Sequence, residues 1–277
     1  MRWTMSIGAM LVVGAISAGA AGPRNLGSQR SDGREASVSV DLELVIAVDV
    51  SYSMDLDELA VQREGYAEAI SSKEFLQALK QGPTSKLAVT YFEWSASSDQ
   101  KVIIPWRVID GPESAGAVAD EIMKAPLHRG SRTSISGAIN FAVPLFDENQ
   151  FLGSRRVIDI SGDGPNNNGI PVTIARDAAI EKGIAINGLP IMIKEPSTNA
   201  MDINNLDWYY EDCVIGGPGS FVVSIKLRDE MKEAIRSKLV FEVAGRTPER
   251  LVVPVIENEP RVPCWIGEKI WQDRWGR

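Results

Sequence analysis

The sequence predicts an α/β protein whose doubly wound, mostly parallel sheet has six strands, one of them an antiparallel edge strand. The run from Leu42 to Val48 is almost continuously apolar, as is typical of a parallel strand buried on both faces. Strand-like and helix-like segments then alternate along the chain, which favours helices on both faces of the sheet. Two adjacent β-rich runs are joined by the short polar segment 95–99, so we expect a hairpin and an antiparallel edge there.

Periodicity and capping signals place the individual elements. Asp55 with Glu58 three residues later forms a capping box, and Asp110 with Glu113 gives a second helix start. The predicted strands are residues 42–48, 86–94, 101–109, 156–161, 184–191 and 221–225. The predicted helices are residues 55–80, 110–124, 134–146 and 171–182, and a closing helix with Met231, Ile235 and Leu239 on its apolar face.

The first twenty residues have the pattern of a secretory signal peptide. Arg2 precedes an apolar run, Met5 to Ile16, and small residues follow, so we expect cleavage near Ala20. An uncleaved anchor is the alternative, although the apolar run is shorter than the roughly 20 residues of a spanning helix. No later segment has the composition of a membrane span, so the mature chain is predicted to be exported, to the periplasm or the exterior.

The sequence divides into four predicted segments: a signal peptide at 1–20, a linker at 21–39, an α/β domain at 40–245 and a tail at 246–277. The tail carries Trp265, Trp271 and Trp275. We expect the tail to pack on the domain, and an exposed interaction surface is the alternative.

Composition restricts the ligands and partners. The chain has 29 Lys and Arg against 37 Asp and Glu, a net charge of −8, and shows no local basic patch, so nucleic-acid binding is not expected. His128 is the only histidine, and Cys213 and Cys264 are the only cysteines, which excludes multi-histidine and four-cysteine zinc sites. Any metal should therefore have oxygen ligands. In an oxidising compartment we expect a Cys213–Cys264 disulfide; two buried free thiols are the alternative, which the spacing leaves open.

Oxygen-bearing side chains follow the first predicted strand. Asp49, Ser51 and Ser53 form an Asp-x-Ser-x-Ser motif in one strand-to-helix loop. Thr133 lies in a polar loop before a helix, and Asp163 follows a later strand. Because ligands bind beyond the carboxyl ends of the strands in open α/β sheets, we expect the three loops to meet there. Two Asp, two Ser and one Thr match the demand of Mg²⁺ for oxygen ligands and an open position.

The motif by itself is weak evidence, because Asp and Ser are also ordinary turn and helix-cap residues. Its place after a buried strand, with a Thr loop and a strand–Asp–Gly turn further on, strengthens the signal. Two other polar segments, Asp57–Glu58 and Asn166–Asn168, are expected to be solvated loops near the site. Direct contact with a partner is the alternative for both.

These residues, in this order, resemble the von Willebrand factor type A domain over roughly Val40 to Gly245. That family carries a metal-ion-dependent adhesion site made of an Asp-x-Ser-x-Ser motif, a distant Thr and a distant Asp. The resemblance implies that the metal ligands are Asp49, Ser51, Ser53, Thr133 and Asp163. The stretches 159–164 and 213–219 also resemble a branch of exported bacterial proteins whose function is undetermined. Gly162 departs from the Thr that many members have before the Asp-Gly pair, so the backbone or a water should differ there.

The resemblance implies a non-catalytic, metal-dependent protein-binding domain. The metal, Mg²⁺ or else Mn²⁺ or Ca²⁺, would keep an open position for an Asp or Glu carboxylate of a partner protein. Two Asp roughly neutralise a divalent ion, which leaves it able to attract one more anion. Thr133 would be the ligand that changes as the partner arrives, binding directly or through water.

Two other classes of protein remain open. A metal-dependent phosphohydrolase would use Asp49 as its nucleophile, but the position two residues on is Ser51 and not a second acid, and His128 is the sole histidine that could act as a base. Neither a Gly-x-Ser-x-Gly elbow nor a phosphate-binding Gly-x-x-x-x-Gly-Lys loop is present in the sequence. The other class is a structural envelope protein whose metal only stabilises the fold.

Overall fold

The structure is a computed structural model that describes residues 37–194, 202–247 and 259–276. The predicted signal peptide, most of the predicted linker and the apolar part of the tail at 251–256 lie outside the described residues. The first strand begins at Val38, two residues before the predicted start of the α/β domain.

Seven strands are present in the described residues: β1 (Val38–Val40), β2 (Leu42–Asp49), β3 (Leu87–Trp94), β4 (Gln100–Ile109), β5 (Phe151–Gly153), β6 (Arg156–Gly162) and β7 (Ala185–Pro190). Five of them form the central sheet in the spatial order β4-β3-β2-β6-β7. All neighbours pair in parallel except β3 and β4, so β4 is an antiparallel edge strand, as predicted. The strands β1 and β5 form a separate parallel pair, which the sequence patterns did not predict.

The central sheet has five strands and not the predicted six. The segment 221–225 lies beside β7 but makes only two isolated parallel bridges, through Val222 and Ile225. Pro190 of β7 lies between these bridges. Its carbonyl accepts a hydrogen bond from Ile225 N at 2.9 Å, but proline has no N–H with which to return one, so the ladder is interrupted.

Eight α-helices occur in the described residues: α1 (Leu56–Ser71), α2 (Lys73–Leu79), α3 (Pro112–Lys124), α4 (Ile135–Leu145), α5 (Val172–Glu181), α6 (Leu206–Tyr209), α7 (Met231–Ala244) and α8 (Ile266–Trp275). The helices α1, α2, α3 and α7 cover one face of the sheet, and α4, α5 and α6 cover the other. Side chains of β2 alternate accordingly: Leu44 and Ile46 face the first group, Val45 and Ala47 the second. Within the described ranges, none of the helices is long and apolar enough to cross a membrane.

The predicted helix at 55–80 is two helices, because Ser72 interrupts it. Ser72 has an extended backbone with ψ of 153°, and its hydroxyl accepts a hydrogen bond from Phe75 N at 3.2 Å, so it caps a new helix. The predicted capping box at the start of α1 is confirmed: Glu58 N donates to Asp55 Oδ1 and Asp55 N donates to Glu58 Oε2, both at 2.7 Å.

A buried ion cluster joins α7 to the sheet. Lys238 Nζ lies 2.5 Å from Asp159 Oδ1 on β6 and 2.7 Å from Glu242 Oε1 on α7. Asn187 of β7 donates to the other Glu242 oxygen at 2.8 Å and accepts from Phe221 N at 2.8 Å. Because these charged and amide groups pair with one another, the cluster fixes α7 and the bridging segment against the middle of β6 and β7.

The described part of the tail is held on the domain by a disulfide. Cys213 and Cys264, which are 51 positions apart in sequence, are bonded with their Cα atoms 5.3 Å apart, which confirms the predicted pair. The helix α8 packs beside the loop that follows β6. Glu268 Oε1 accepts from Asn166 Nδ2 at 2.7 Å.

Candidate metal site

The Asp-x-Ser-x-Ser loop begins where β2 ends, at the carboxyl edge of the sheet. Asp49 Oδ1 accepts a hydrogen bond from Ser51 N at 2.7 Å, which turns the loop back on the strand end. Ser51 Oγ lies 2.8 Å from Ser53 Oγ, and Ser53 Oγ donates to Asp163 Oδ1 at 2.6 Å. The structure therefore joins four of the five predicted ligands in one chain of hydrogen bonds across two loops.

Thr133, the fifth predicted ligand, lies beside the same turn. A Cβ on Gly164 would be 3.8 Å from Thr133 Oγ1, which places this hydroxyl next to the Asp163–Gly164 turn. The backbone of Thr133 is fixed by Asn167: Thr133 N donates to Asn167 Oδ1 at 3.0 Å, and Asn167 N donates to Thr133 O at 2.8 Å. All five predicted side chains thus lie at the same edge of the sheet.

A short backbone pairing holds the first loop against the loop that precedes α4. Tyr52 N donates to Gly130 O at 2.8 Å, and Gly130 N donates to Val50 O at 3.0 Å. The guanidinium of Arg129 reinforces this pairing by donating to the carbonyl oxygens of Tyr52 and Met54 at 2.9 and 2.5 Å. The two loops that supply hydroxyl groups are therefore held together by hydrogen bonds within the chain.

The expectation of a solvated loop at Asn166–Asn168 is wrong for its first two residues. Asn166 and Asn167 are buried, and their side-chain oxygens accept hydrogen bonds from Ser136 N at 2.9 Å and from Thr133 N. An amide carries both donors and an acceptor, so a buried asparagine can support backbone that has no regular partner. Three consecutive asparagines after a strand–Asp–Gly turn are the sequence signal that could have revealed this role.

The neighbouring acidic pair also differs from the prediction, because Asp57 is exposed but Glu58 is buried. Lys194 Nζ lies 2.5 Å from Glu58 Oε2 and donates to Ser53 O at 2.5 Å. Lys194 thus ties the serine loop to α1. No local pattern marks this lysine, since its contact with Ser53 joins residues 141 positions apart.

The site is closed at one end and open at the other. Asp49, Ser51 and Thr133 are buried, Asp163 is half-buried and Ser53 is exposed. Burial, and then the charge of Asp163, raise the pKa of Asp49 well above its ordinary value. Asp49 Oδ2 is buried and has no hydrogen-bond partner within the described residues. A buried carboxylate oxygen without a partner is unfavourable, and a cation bound nearby would compensate for it.

The donor set fits a hard divalent cation. Two carboxylates and three hydroxyls are oxygen ligands of the kind that Mg²⁺ prefers, and the exposed side at Ser53 leaves space for water or another ligand. In the part of the chain that the structure describes, no three His, Cys, Asp or Glu side chains form a metal-binding group. A metal here would therefore depend on the hydroxyls of Ser51, Ser53 and Thr133 as well as on the two carboxylates.

Metal affinity should depend on pH near 6. Burial raises the pKa of Asp163 to about 6, although the hydrogen bond from Ser53 and the charge of Lys194 oppose the shift. A cation needs this carboxylate ionised, so below that pH the metal must displace a proton. We expect Mn²⁺ affinity, measured by calorimetry, to fall by at least about tenfold between pH 7 and pH 5. An affinity that is constant over this interval would count against Asp163 as a ligand.

Helices on both faces of a mostly parallel sheet, with the Asp-x-Ser-x-Ser, Thr and Asp loops at its carboxyl edge, define an α/β fold like that of von Willebrand factor type A domains. The model of the family described as "Protein of unknown function (DUF1194)" matches residues 39–247, and the chain belongs to this family. No curated protein sequence matches the chain.

Solved structures share the fold at low sequence identity. The pilus adhesin SpaC from Lactobacillus rhamnosus GG, in its open conformation, has a TM-score of 0.54 and 11% identity over 74% of this chain and 30% of that chain. The von Willebrand factor type A structure from Catenulispora acidiphila has a TM-score of 0.51 and 16% identity over 74% of this chain and 43% of that chain. This chain spans less than half the length of either relative. The likeness confirms the predicted fold.

Proposed function

We propose that this protein is a non-catalytic binding domain that holds a divalent metal, preferentially Mg²⁺. The metal forms a bridge to an Asp or Glu carboxylate of a partner protein. The observation that carries the proposal is the convergence of Asp49, Ser51, Ser53 and Asp163 in one hydrogen-bonded chain that is buried at Asp49 and exposed at Ser53. Two carboxylates roughly neutralise a divalent ion, so the bound metal would still attract one anion.

An acidic partner also fits the basic side chains beside the opening. Arg129 lies against the backbone of Tyr52 and Met54 at the exposed side of the site. Lys194 lies against the backbone of Ser53, but Glu58 balances its charge, so the charge that favours an acidic partner is chiefly that of Arg129. Complementary charge of this kind steers an acidic surface toward the site. The fold that this chain shares with a pilus adhesin is in keeping with such a role.

The proposed location is the bacterial envelope, either the periplasm or the exterior. The signal-peptide pattern at 1–20 supports export. The Cys213–Cys264 disulfide supports the same location, because such bonds persist in oxidising compartments.

A metal-dependent phosphohydrolase with Asp49 as nucleophile is the second candidate, and the geometry favours it less. The sole histidine, His128, pairs with the Asp99 carboxylate at 3.3 Å, and Ser51 occupies the position at which a second acid would be expected. Hydrolysis of phosphate esters by the purified protein with Mg²⁺, lost on Asp49→Asn, would establish the enzyme instead.

Metal-dependent capture of a partner tests the proposed bridge. The tagged protein should retain a partner from envelope extract in Mg²⁺ and release it in EDTA. Replacing the critical partner Asp or Glu by its amide should then abolish the retention. If the partner stays bound in EDTA, the metal has only a structural role and the protein belongs to the class with a stabilising metal.

Thr133→Ala should weaken the identified partner's binding by roughly tenfold while a metal remains bound, because one coordination link is lost and the carboxylates stay in place. The loss of partner affinity caused by Thr133→Ala and the loss caused by replacing the partner's carboxylate with an amide should not add. Both changes remove part of the same metal-mediated contact. Thr84→Ala is the matched control, because Thr84 lies before β3 at the opposite edge of the sheet. Titration of partner into metal-loaded protein measures both variants, and full affinity in Thr133→Ala would contradict its assigned role.

A further inference from the structure

Two glycines on neighbouring strands make room for one tyrosine side chain. A Cβ on Gly188 of β7 would lie 2.6 Å from Tyr210 Cδ1, and a Cβ on Gly162 of β6 would lie 2.9 Å from the Tyr210 hydroxyl oxygen. Both distances are shorter than packed side chains tolerate, so a side chain at either strand position would displace the ring. The tyrosine ring therefore lies against β7 at Gly188, with its hydroxyl beside Gly162, the last residue of β6.

The space beside Gly162 is shared with a predicted metal ligand. A Cβ there would lie 2.9 Å from Asp49 Oδ2, as close as to the Tyr210 hydroxyl. Both oxygens are buried, and neither has a hydrogen-bond partner within the described residues. Buried polar atoms without partners are rare, and here a donor and an acceptor converge on the same small space.

Tyr210 is also held firmly by its surroundings. It opens the π-helical turn Tyr210–Val214, in which Cys213 is bonded to Cys264 of the tail. The hydroxyl of the preceding Tyr209 accepts a hydrogen bond from Asn166 N at 3.2 Å, so this turn is also attached to the loop that follows Asp163. The backbone that carries the Tyr210 ring is therefore held on both sides.

We propose that Tyr210 is a positioning residue of the metal site: its hydroxyl, which makes no hydrogen bond to Asp49 Oδ2 in this structure, donates one to that oxygen when a cation binds and so orients the carboxylate. The inference rests on the proposed metal-binding function. Asp49 Oδ1 accepts from Ser51 N, so a donor at Oδ2 fixes the plane of the carboxylate from both ends. Each carboxylate oxygen keeps a second lone pair for a metal or a metal-bound water. Such partners of a metal ligand typically contribute about 10- to 100-fold to affinity.

Tyr210→Phe tests the proposal, because it keeps the ring and removes only the hydroxyl. Calorimetry with Mn²⁺ should show about 10- to 100-fold weaker binding than in the wild-type protein, with an unchanged circular dichroism spectrum. Tyr66→Phe is the matched control. The Tyr66 hydroxyl is likewise buried and without a partner in the described residues, but it lies in the core on the other face of the sheet, so we expect wild-type affinity.

The outcomes separate this inference from the proposed function. Wild-type Mn²⁺ affinity in Tyr210→Phe would overturn the inference and leave the metal site standing. A wild-type protein that fails to bind Mn²⁺ would overturn the proposed function, and the inference with it.

Proton NMR of the wild-type protein gives a measurement that needs no variant: the Tyr210 hydroxyl proton should exchange slowly and shift when Mg²⁺ is added. A hydroxyl proton that exchanges too fast to observe with Mg²⁺ bound would also count against the hydrogen bond.

Discussion

Asp49→Ala is expected to abolish measurable binding of Mg²⁺ and Mn²⁺. Asp49 supplies the carboxylate at the buried end of the site, and its Oδ1 also holds the loop through Ser51 N. Because partners that merely orient a ligand contribute about 10- to 100-fold, loss of the ligand itself should lower affinity by more than about 100-fold. Calorimetry with each cation measures the effect, and wild-type affinity in the variant would remove Asp49 from the ligand set.

Asp49→Asn separates the metal from the fold. The asparagine side-chain oxygen can still accept from Ser51 N, and the change removes a buried charge whose pKa is already raised by burial. We therefore expect a melting temperature in EDTA equal to or above that of the wild-type protein, with no further rise on adding Mg²⁺. Asp110→Asn is the matched control, because Asp110 follows the antiparallel strand β4 and so lies at the other end of the sheet.

Replacing Cys213 and Cys264 together by serine should lower the free energy of unfolding by about 4 kcal/mol. The disulfide closes a loop of 51 residues, and the chain-entropy model gives this magnitude for a loop of that size. Urea unfolding of the oxidised protein and the double variant measures the difference. Wild-type protein treated with reductant should unfold like the double variant, whereas equal stability of all three forms, or two free thiols in the isolated protein, would contradict the assignment.

The fold was largely predictable because its signals are local. The apolar run of β2 and the capping box of Asp55 and Glu58 depend on residues close in sequence, and both are present as predicted. The prediction of a sixth strand was wrong. Segment 221–225 itself has β-forming residues, but Pro190 on the neighbouring strand prevents continuous pairing. A propensity within one segment carries no information about a missing donor in another.

The site likewise combines residues that local patterns predict with residues that only distant contacts bring in. The motif and the strand order are enough to bring Asp49 and Asp163 to one edge, but Lys194, Asn167 and Tyr210 reach the site through contacts that no spacing rule specifies. Gly162 is the clearest example. In the sequence it was only a departure from the Thr of many von Willebrand factor type A domains, and the structure shows that the Tyr210 hydroxyl and Asp49 Oδ2 occupy the space that a side chain would need.

A crystal of the full chain soaked in Mn²⁺, with anomalous diffraction data, tests the proposed metal site most directly. The proposal predicts one strong anomalous peak at the carboxyl edge of the sheet, with the hydroxyl oxygens of Ser51 and Ser53 at about 2.0–2.4 Å and Asp49, Thr133 and Asp163 coordinating directly or through water. No peak at this edge in crystals that diffract well, or a peak held by other residues such as Asp99 and His128, would contradict it.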